Sequence, residues 1–205
     1  MLRFPILLTN DDGINSPGLQ HLASSLHSLG HPIAILAPLT EQSAVGMKLT
    51  LRDDMAFEEH TDIAEKIRTD ESAPLRVFSL DGSPCDCVIV AIDGGLRSLA
   101  PEIRPWLCIS GINRGPNLSI DVLHSGTVSA AREASLYGLP SLSVSLATYS
   151  HQDYSQSIEA TLALVERLSD LVTADPSNIL RPEGSRTRPI EGTGPNSLRS
   201  WFMQG

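Results

Sequence analysis

The sequence predicts an α/β fold on a mostly parallel sheet, and three observations carry that expectation. Ile6-Leu7-Leu8-Thr9-Asn10 is a continuous apolar run of buried-strand length, closed by the turn-forming Asp11-Asp12-Gly13. A helix start follows at once, with Ser16 as N-cap and Pro17 at the first helical position. A second apolar run over 33–37 then closes on Pro38, giving strand, helix, strand: the opening unit of a right-handed parallel crossover.

The remaining elements follow in order. Leu19, Leu22, Ala23 and Leu26 recur at helical spacing, and Gly30 caps that helix. A polar loop over 40–46 leaves the carboxyl end of the second strand. Residues 48–80 change texture: Leu49-Thr50-Leu51 and 75–80 read as strand pieces around a charged stretch over 53–71, expected as a β-hairpin insertion. Ser83-Pro84 repeats the helix-start signal and predicts a helix over 85–92, against the strand preference of its Val and Ile residues.

Trp106-Leu107-Cys108-Ile109-Ser110 reads as a further buried strand that runs into a glycine-rich loop over 111–117. Ser125-Gly126-Thr127 opens a helix over 128–134 that Gly138 and Pro140 stop, and 142–146 is the next strand. Ile158, Leu162, Val165, Leu168 and Val172 mark an amphipathic helix. Beyond it the periodicity dissolves, so the expected organisation is an α/β domain over 1–175 and an irregular Pro/Gly-rich tail over 176–205. That tail sets four arginines against two glutamates, and it is either disordered or an arm laid on another subunit. There is no internal repeat.

A chain of 205 residues allows one full domain, and 41% hydrophobic residues suffice for a sizeable core. With aromatics at 4%, aliphatic side chains must fill it. The net charge of -9 argues against gripping nucleic-acid polymers, which takes a basic face. It leaves small phosphorylated ligands open, because a bound cation reverses the local field. Cys85, Cys87 and Cys108 lack the paired spacing of a zinc site and read as buried free thiols in a reducing compartment. No signal peptide and no membrane-spanning run is expected, which makes the chain read as cytoplasmic.

In open α/β sheets, ligands bind outside the carboxyl ends of the strands. The loops carrying Asp11-Asp12, Gln42-Ser43 and 113–117 all fall on that edge. Adjacent carboxylates repel unless a proton or cation lies between them, and these loops offer hard oxygen donors suited to Mg²⁺, Mn²⁺ or Ca²⁺. Ser125-Gly126-Thr127 opens a helix, where unpaired N–H groups and the dipole attract an anion. A cation beside an anion-binding helix terminus is what phosphoryl chemistry uses.

Each piece alone has a plainer reading. Asp-Asp-Gly serves as a turn, Asn113 and Asn117 as loop-formers, and Ser125 as an N-cap. Arg114 either clamps a phosphate or pairs with a surface carboxylate, and His124 is either a proton donor to a leaving oxygen or a structural histidine.

The segments Leu8-Thr9-Asn10-Asp11-Asp12-Gly13-Ile14, Ser16-Pro17-Gly18 and Glu41-Gln42-Ser43 closely resemble the SurE survival-protein family of metal-dependent nucleotidases. So do the segments over 110–118, 125–128 and 131–133, in consistent order through the first 150 residues or so. The resemblance implies a Rossmann-like three-layer α/β fold and hydrolysis of nucleoside 5′-monophosphates, with 3′-nucleotides and polyphosphate as further substrates. It implies one divalent cation, Mg²⁺ or Mn²⁺, held at Asp11, Asp12, Ser43 and Asn113, with substrate phosphate on Asn117, Ser125, Gly126 and Thr127. It also implies a homodimer or homotetramer. The region after about residue 173 departs from the family's usual C-terminal part, which commonly helps build such assemblies.

Three other functions compete. A phosphoryl-accepting receiver also carries an early acidic pair, but it requires a late Lys, and no Lys occurs after Lys66. A dinucleotide-dependent dehydrogenase is disfavoured by the lack of Gly-x-Gly-x-x-Gly in the first strand-to-helix turn. A non-catalytic nucleotide-binding or assembly protein of the same fold is the remaining alternative.

Overall fold

The computed structural model describes residues 3–171, so Val172 and the expected tail over 176–205 lie outside the described residues. Six strands form one sheet in the order β3-β4-β2-β1-β5-β6: β1 (Ile6–Thr9), β2 (Ile33–Pro38), β3 (Phe57–Glu59), β4 (Leu75–Leu80), β5 (Leu107–Asn113) and β6 (Ser141–Ser145). All neighbouring pairs are parallel except the edge pair β3–β4. The central strands β1 and β2 are buried along their whole length, as a parallel sheet covered on both faces demands.

Helices cover the two faces. Alternation along β1 sends Ile6 and Leu8 to a core shared with α1 (Pro17–Ser28), α2 (Thr61–Ile67) and α7 (Ser155–Leu171). Leu7 goes to the opposite core, built with α3 (Pro84–Val90), α4 (Leu96–Leu99) and α6 (Gly126–Leu136). The short α5 (Asp121–His124) precedes α6 and buries no residue. This is the expected three-layer arrangement. Each fully buried Leu or Ile contributes about 1.5–3 kcal/mol.

The helix starts are where the local signals put them. Ser16, Ser83 and Ser125 are N-caps whose side chains accept from the amides of Leu19, Asp86 and Val128. Gly30, at φ +81°, follows α1, with its N–H donating to His27 O and the His31 N–H reaching back to Leu26 O. The three cysteines are buried and unpaired, and burial holds the Cys85 and Cys108 thiols up at about 12.

Residues 48–80 differ from the expected insertion. Leu49-Thr50-Leu51 is not a strand, and 75–80 is a full member of the main sheet, paired along β2. The antiparallel pairing is present, but between β3 and β4 with α2 between them. The 48–50 segment is held by side chains instead. Fully buried Asp86 accepts from Thr50 N at 3.0 Å, Thr50 Oγ1 at 2.8 Å and Ser83 N at 2.8 Å. Ser83 Oγ donates to Lys48 O at 2.6 Å.

Asp86→Ala strands these donors and removes half of a capping box, so it is expected to cost about 2–4 kcal/mol in urea unfolding. Leu51→Ala, at a side chain 62% exposed, is expected to stay within about 0.5 kcal/mol of the parent in the same titration.

Candidate functional site

At the carboxyl edge, β1 lies between β2 and β5, whose connections leave in opposite directions, which is where an open sheet forms its crevice. A cavity of ≈ 420 Å³ opens there, lined by Asp11, Asp12, Glu41, Ser43, Asn113, Asn117, Asp121, His124, Ser125 and Tyr149, with Ala44, Arg114 and Pro116 completing its wall.

The turn after β1 is built locally. Asn10 Oδ1 accepts from Gly13 N at 3.2 Å, and its Nδ2 donates to Gly13 O at 3.0 Å and to Ser16 Oγ at 2.8 Å. The two aspartates are thereby fixed between the strand and α1. Gln42 N donates to Asp11 O at 2.7 Å, which brings the loop after β2 to the same place. Gly46 N donates to His124 O at 2.8 Å, tying that loop to α5.

Asp11 is nearly buried, and the start of α6 surrounds its carboxylate. Thr127 N donates to Asp11 Oδ2 at 2.9 Å, and Thr127 Oγ1 donates to Asp11 Oδ1, with Asn113 Oδ1 a second acceptor at 3.2 Å. The backbone of Gly126 also favours the ionised form of this carboxylate. A Cβ on Gly126 would sit 2.7 Å from Asp11 Cβ, so only glycine lets the helix start close on the strand end. The helix terminus was expected to meet a substrate phosphate; the anion it meets in this structure is the chain's own Asp11.

Asp12 is less buried and accepts from Arg114 N at 3.0 Å through Oδ2. Desolvation raises the Asp11 carboxyl above its ordinary value, even against the bonds from Thr127. Desolvation, with Asp11 and Glu41 nearby, pushes Asp12 up to about 6. Asn113 Nδ2 donates to Gly115 O at 2.8 Å, and Asn117 Nδ2 donates to Ser145 Oγ at 2.8 Å. Ser43 Oγ is exposed and donates to Glu41 Oε1 at 2.6 Å.

Of the residues singled out in the sequence, Asp11, Asp12, Ser43, Asn113, Asn117 and Ser125 line one cavity. Gly126 and Thr127 stand behind Asp11 and hold it. Arg114 and His124, left open before, also reach the wall. Sequence reasoning gave no role to Glu41, Asp121 or Tyr149. Glu41 stood in plain view two residues from Ser43, whereas nothing in the sequence around Tyr149 signals a site.

The donors converging here are oxygens of carboxylate, hydroxyl and amide groups, the set a hard divalent cation takes. Among the described residues no group of three or more His, Cys, Asp or Glu side chains could hold a metal alone. The hydroxyl of Ser43 and the amide of Asn113 are the neutral oxygen donors in the same wall as the aspartates.

The sequence profile of the family "Survival protein SurE" matches residues 6–192. The 5′-nucleotidase SurE of Syntrophotalea carbinolica is 43% identical over 167 residues, covering 80% of this chain and 59% of its own length. That of Pelobacter propionicus is 47% identical over 150 residues, covering 70% of this chain and 50% of its own. The crystal structure of the SurE protein from Aquifex aeolicus superposes with a TM-score of 0.64 at 31% identity, covering 82% of this chain and 61% of that one. The chain thus spans between half and three fifths of the length of these relatives. With a profile match over most of its residues and a shared architecture, the chain belongs to the SurE survival-protein family.

Proposed function

We propose that this chain is a divalent-cation-dependent phosphomonoesterase that hydrolyses nucleoside 5′-monophosphates to nucleoside and phosphate, with 3′-nucleotides and polyphosphate as further substrates. One observation carries the reading: the cavity wall sets four carboxylates, Asp11, Asp12, Glu41 and Asp121, against the single guanidinium of Arg114. Such a wall repels an anionic ester unless a cation comes with it. The names of the relatives, each a 5′-nucleotidase SurE, support the same conclusion.

In this reading Asp11, Asp12, Ser43 and Asn113 hold one Mg²⁺ or Mn²⁺ ion, which when bound supplies charge neutralisation at the phosphoryl oxygens and activation of water. Asn117 and Ser125 contact the ester oxygens. Gly126 and Thr127, assigned with them, serve the phosphate through the carboxylate they fix. Asp12 is the base that orients and deprotonates the attacking water, since Asp11 has both oxygens engaged by Thr127. Water oxygen bonds to phosphorus, the ester P–O bond breaks in line, and the nucleoside oxygen leaves with a proton supplied from His124.

The same proposal includes a phosphatase domain over 1–175 with a separate tail, resting on the composition change at Pro176. It also includes a cytoplasmic location, which the three unpaired thiols fit. Among the described residues no helix is long and apolar enough to cross a membrane. A homodimer or homotetramer fits the exposure of Leu118, Ile120 and Leu123 at 62–67%.

Three outcomes test the site. Phosphate release from AMP is expected only with Mg²⁺ or Mn²⁺, and Asp11→Asn is expected to lower kcat by about 10³-fold with the circular dichroism unchanged; full turnover in that variant overturns the assignment. Thr127→Val preserves shape but removes the hydroxyl from Asp11, and titration calorimetry is expected to show about tenfold weaker Mn²⁺ binding.

The third outcome concerns pH. With its carboxyl raised from 3.8 to about 6, Asp12 contributes stability that is complete below pH ~4 and lost as pH rises through 6. Asp12→Asn is therefore expected to raise the melting temperature of the cation-free protein at pH 8 by about 2–4 °C, on the order of 1 kcal/mol after solvent screening. The gain is expected to vanish at pH 4.5, and Mn²⁺ is expected to raise the melting temperature of the parent chain but not that of the variant.

A further inference from the structure

We propose that Tyr149 is the platform on which the base of a nucleotide substrate stacks; this rests on the nucleotidase reading above and adds the residue that grips the nucleoside half. Three observations lead to it. Tyr149 is the one Phe, Tyr or Trp in the wall of the cavity that holds Asp11 and Asp12. It is 71% exposed, whereas each other Phe, Tyr and Trp among the described residues is buried or half-buried. A chain this poor in aromatics leaves one large ring in water at the mouth of its acidic cavity.

The third observation is that the ring is seated, not loose. A Cβ built on Gly115 would lie 1.9 Å from Tyr149 Cε1 and 2.4 Å from Cδ1, so the ring occupies the space a side chain at 115 would need. Gly115 has φ +110° and its carbonyl accepts the 2.8 Å bond from Asn113 Nδ2. The ring's support is therefore the loop that carries Asn113 and Asn117. From the other side, Asn117 Nδ2 ties this loop to Ser145 at the end of β6, four residues before Tyr149. The turn is closed by Ser150 N donating to Thr148 Oγ1 at 3.0 Å.

One face of the tyrosine is thus backed by polypeptide while the residue stays open to solvent beside the phosphate-contacting Asn117. A nucleotide whose phosphate reaches the aspartates extends its base outward, toward the cavity rim where an aromatic face is available. Every base has a π-face, so stacking grips a nucleoside without selecting among the four bases, purines gaining more from their larger area. Among the described residues the wall holds no second Phe, Tyr or Trp, and its imidazole, His124, is assigned above to the leaving oxygen, so the expected grip is that of a single stack.

The test compares AMP with ribose 5-phosphate, which keeps the phosphate and sugar and lacks the base. Alanine substitution at a stacking ring weakens a base by about 5- to 100-fold. Tyr149→Ala is expected to raise KM for AMP by about that factor at nearly unchanged kcat, to leave ribose 5-phosphate turnover unaltered, and to keep the melting temperature. Tyr149→Phe and Tyr149→Trp are expected to restore AMP. In parallel, adenosine with the cation-free protein is expected to give NOEs between adenine H2 or H8 and tyrosine ring protons, lost in Tyr149→Ala.

If the alanine variant loses AMP and ribose 5-phosphate in equal measure, or loses neither, the stacking proposal is overturned while the phosphomonoesterase reading survives. Equal kcat/KM of the parent chain for the two esters overturns it in the same way. If the parent releases no phosphate from either ester and shows no adenosine NOE, the nucleotidase reading and the stacking proposal fall together.

Discussion

The carboxylate of Asp11, clasped by the first turn of α6, is the contact on which the rest of the site depends. It joins residues 116 positions apart in the chain, and it does so with charge-assisted bonds from the Thr127 backbone and hydroxyl. The bond fixes more than one side chain. The Thr127 hydroxyl also faces Asn113 Oδ1, so the ends of β1, β5 and α6 share one polar junction. Gln42 N on the Asp11 carbonyl brings in the loop after β2. Loosen this junction, and four loops lose their common reference point.

That arrangement explains why the edge of the sheet is electrostatically strained in the chain's own terms. Burial raises both aspartates, and Asp12, less well served by donors, is pushed up to about 6. A fold optimised for stability alone would put an amide at position 12. Retaining a second carboxylate makes sense where a positive charge offsets the repulsion, and the exposed Ser43 hydroxyl and the Asn113 amide extend the same oxygen-rich surface. The helix dipole is used indirectly: it steadies the carboxylate, and the carboxylate faces the cavity.

Features governed by local chemistry were legible in the sequence. The N-caps at Ser16, Ser83 and Ser125 announce their helices through hydroxyl and proline positions, because capping is decided within four residues. The convergence of 11–12, 43 and 113–117 followed from a general property of parallel sheets, that all their strand ends point one way. What failed was governed by distant partners. Leu49-Thr50-Leu51 alternates like a strand, yet Asp86, 36 residues away, takes the Thr50 amide and hydroxyl and leaves Leu51 in solvent. Phe57-Glu58-Glu59 was passed over because an edge strand tolerates charges that a central one cannot. Thr127 was expected at a substrate phosphate, and no local pattern names Asp11 as the carboxylate its amide and hydroxyl hold.

The length of the chain gives the last constraint. It spans about three fifths of relatives such as that of Syntrophotalea carbinolica, yet among the described residues the whole cavity wall falls between Asp11 and Tyr149. Those side chains sit at the end of β5, on the loops that follow β1, β2, β5 and β6, on α5 and at the N-cap of α6, inside the family match over 6–192. The polar junction is closed by bonds within this span, and both apolar cores that carry it are assembled from the same elements. The geometry of the acidic pocket thus rests on bonds and on a two-sided core that both lie within the described residues.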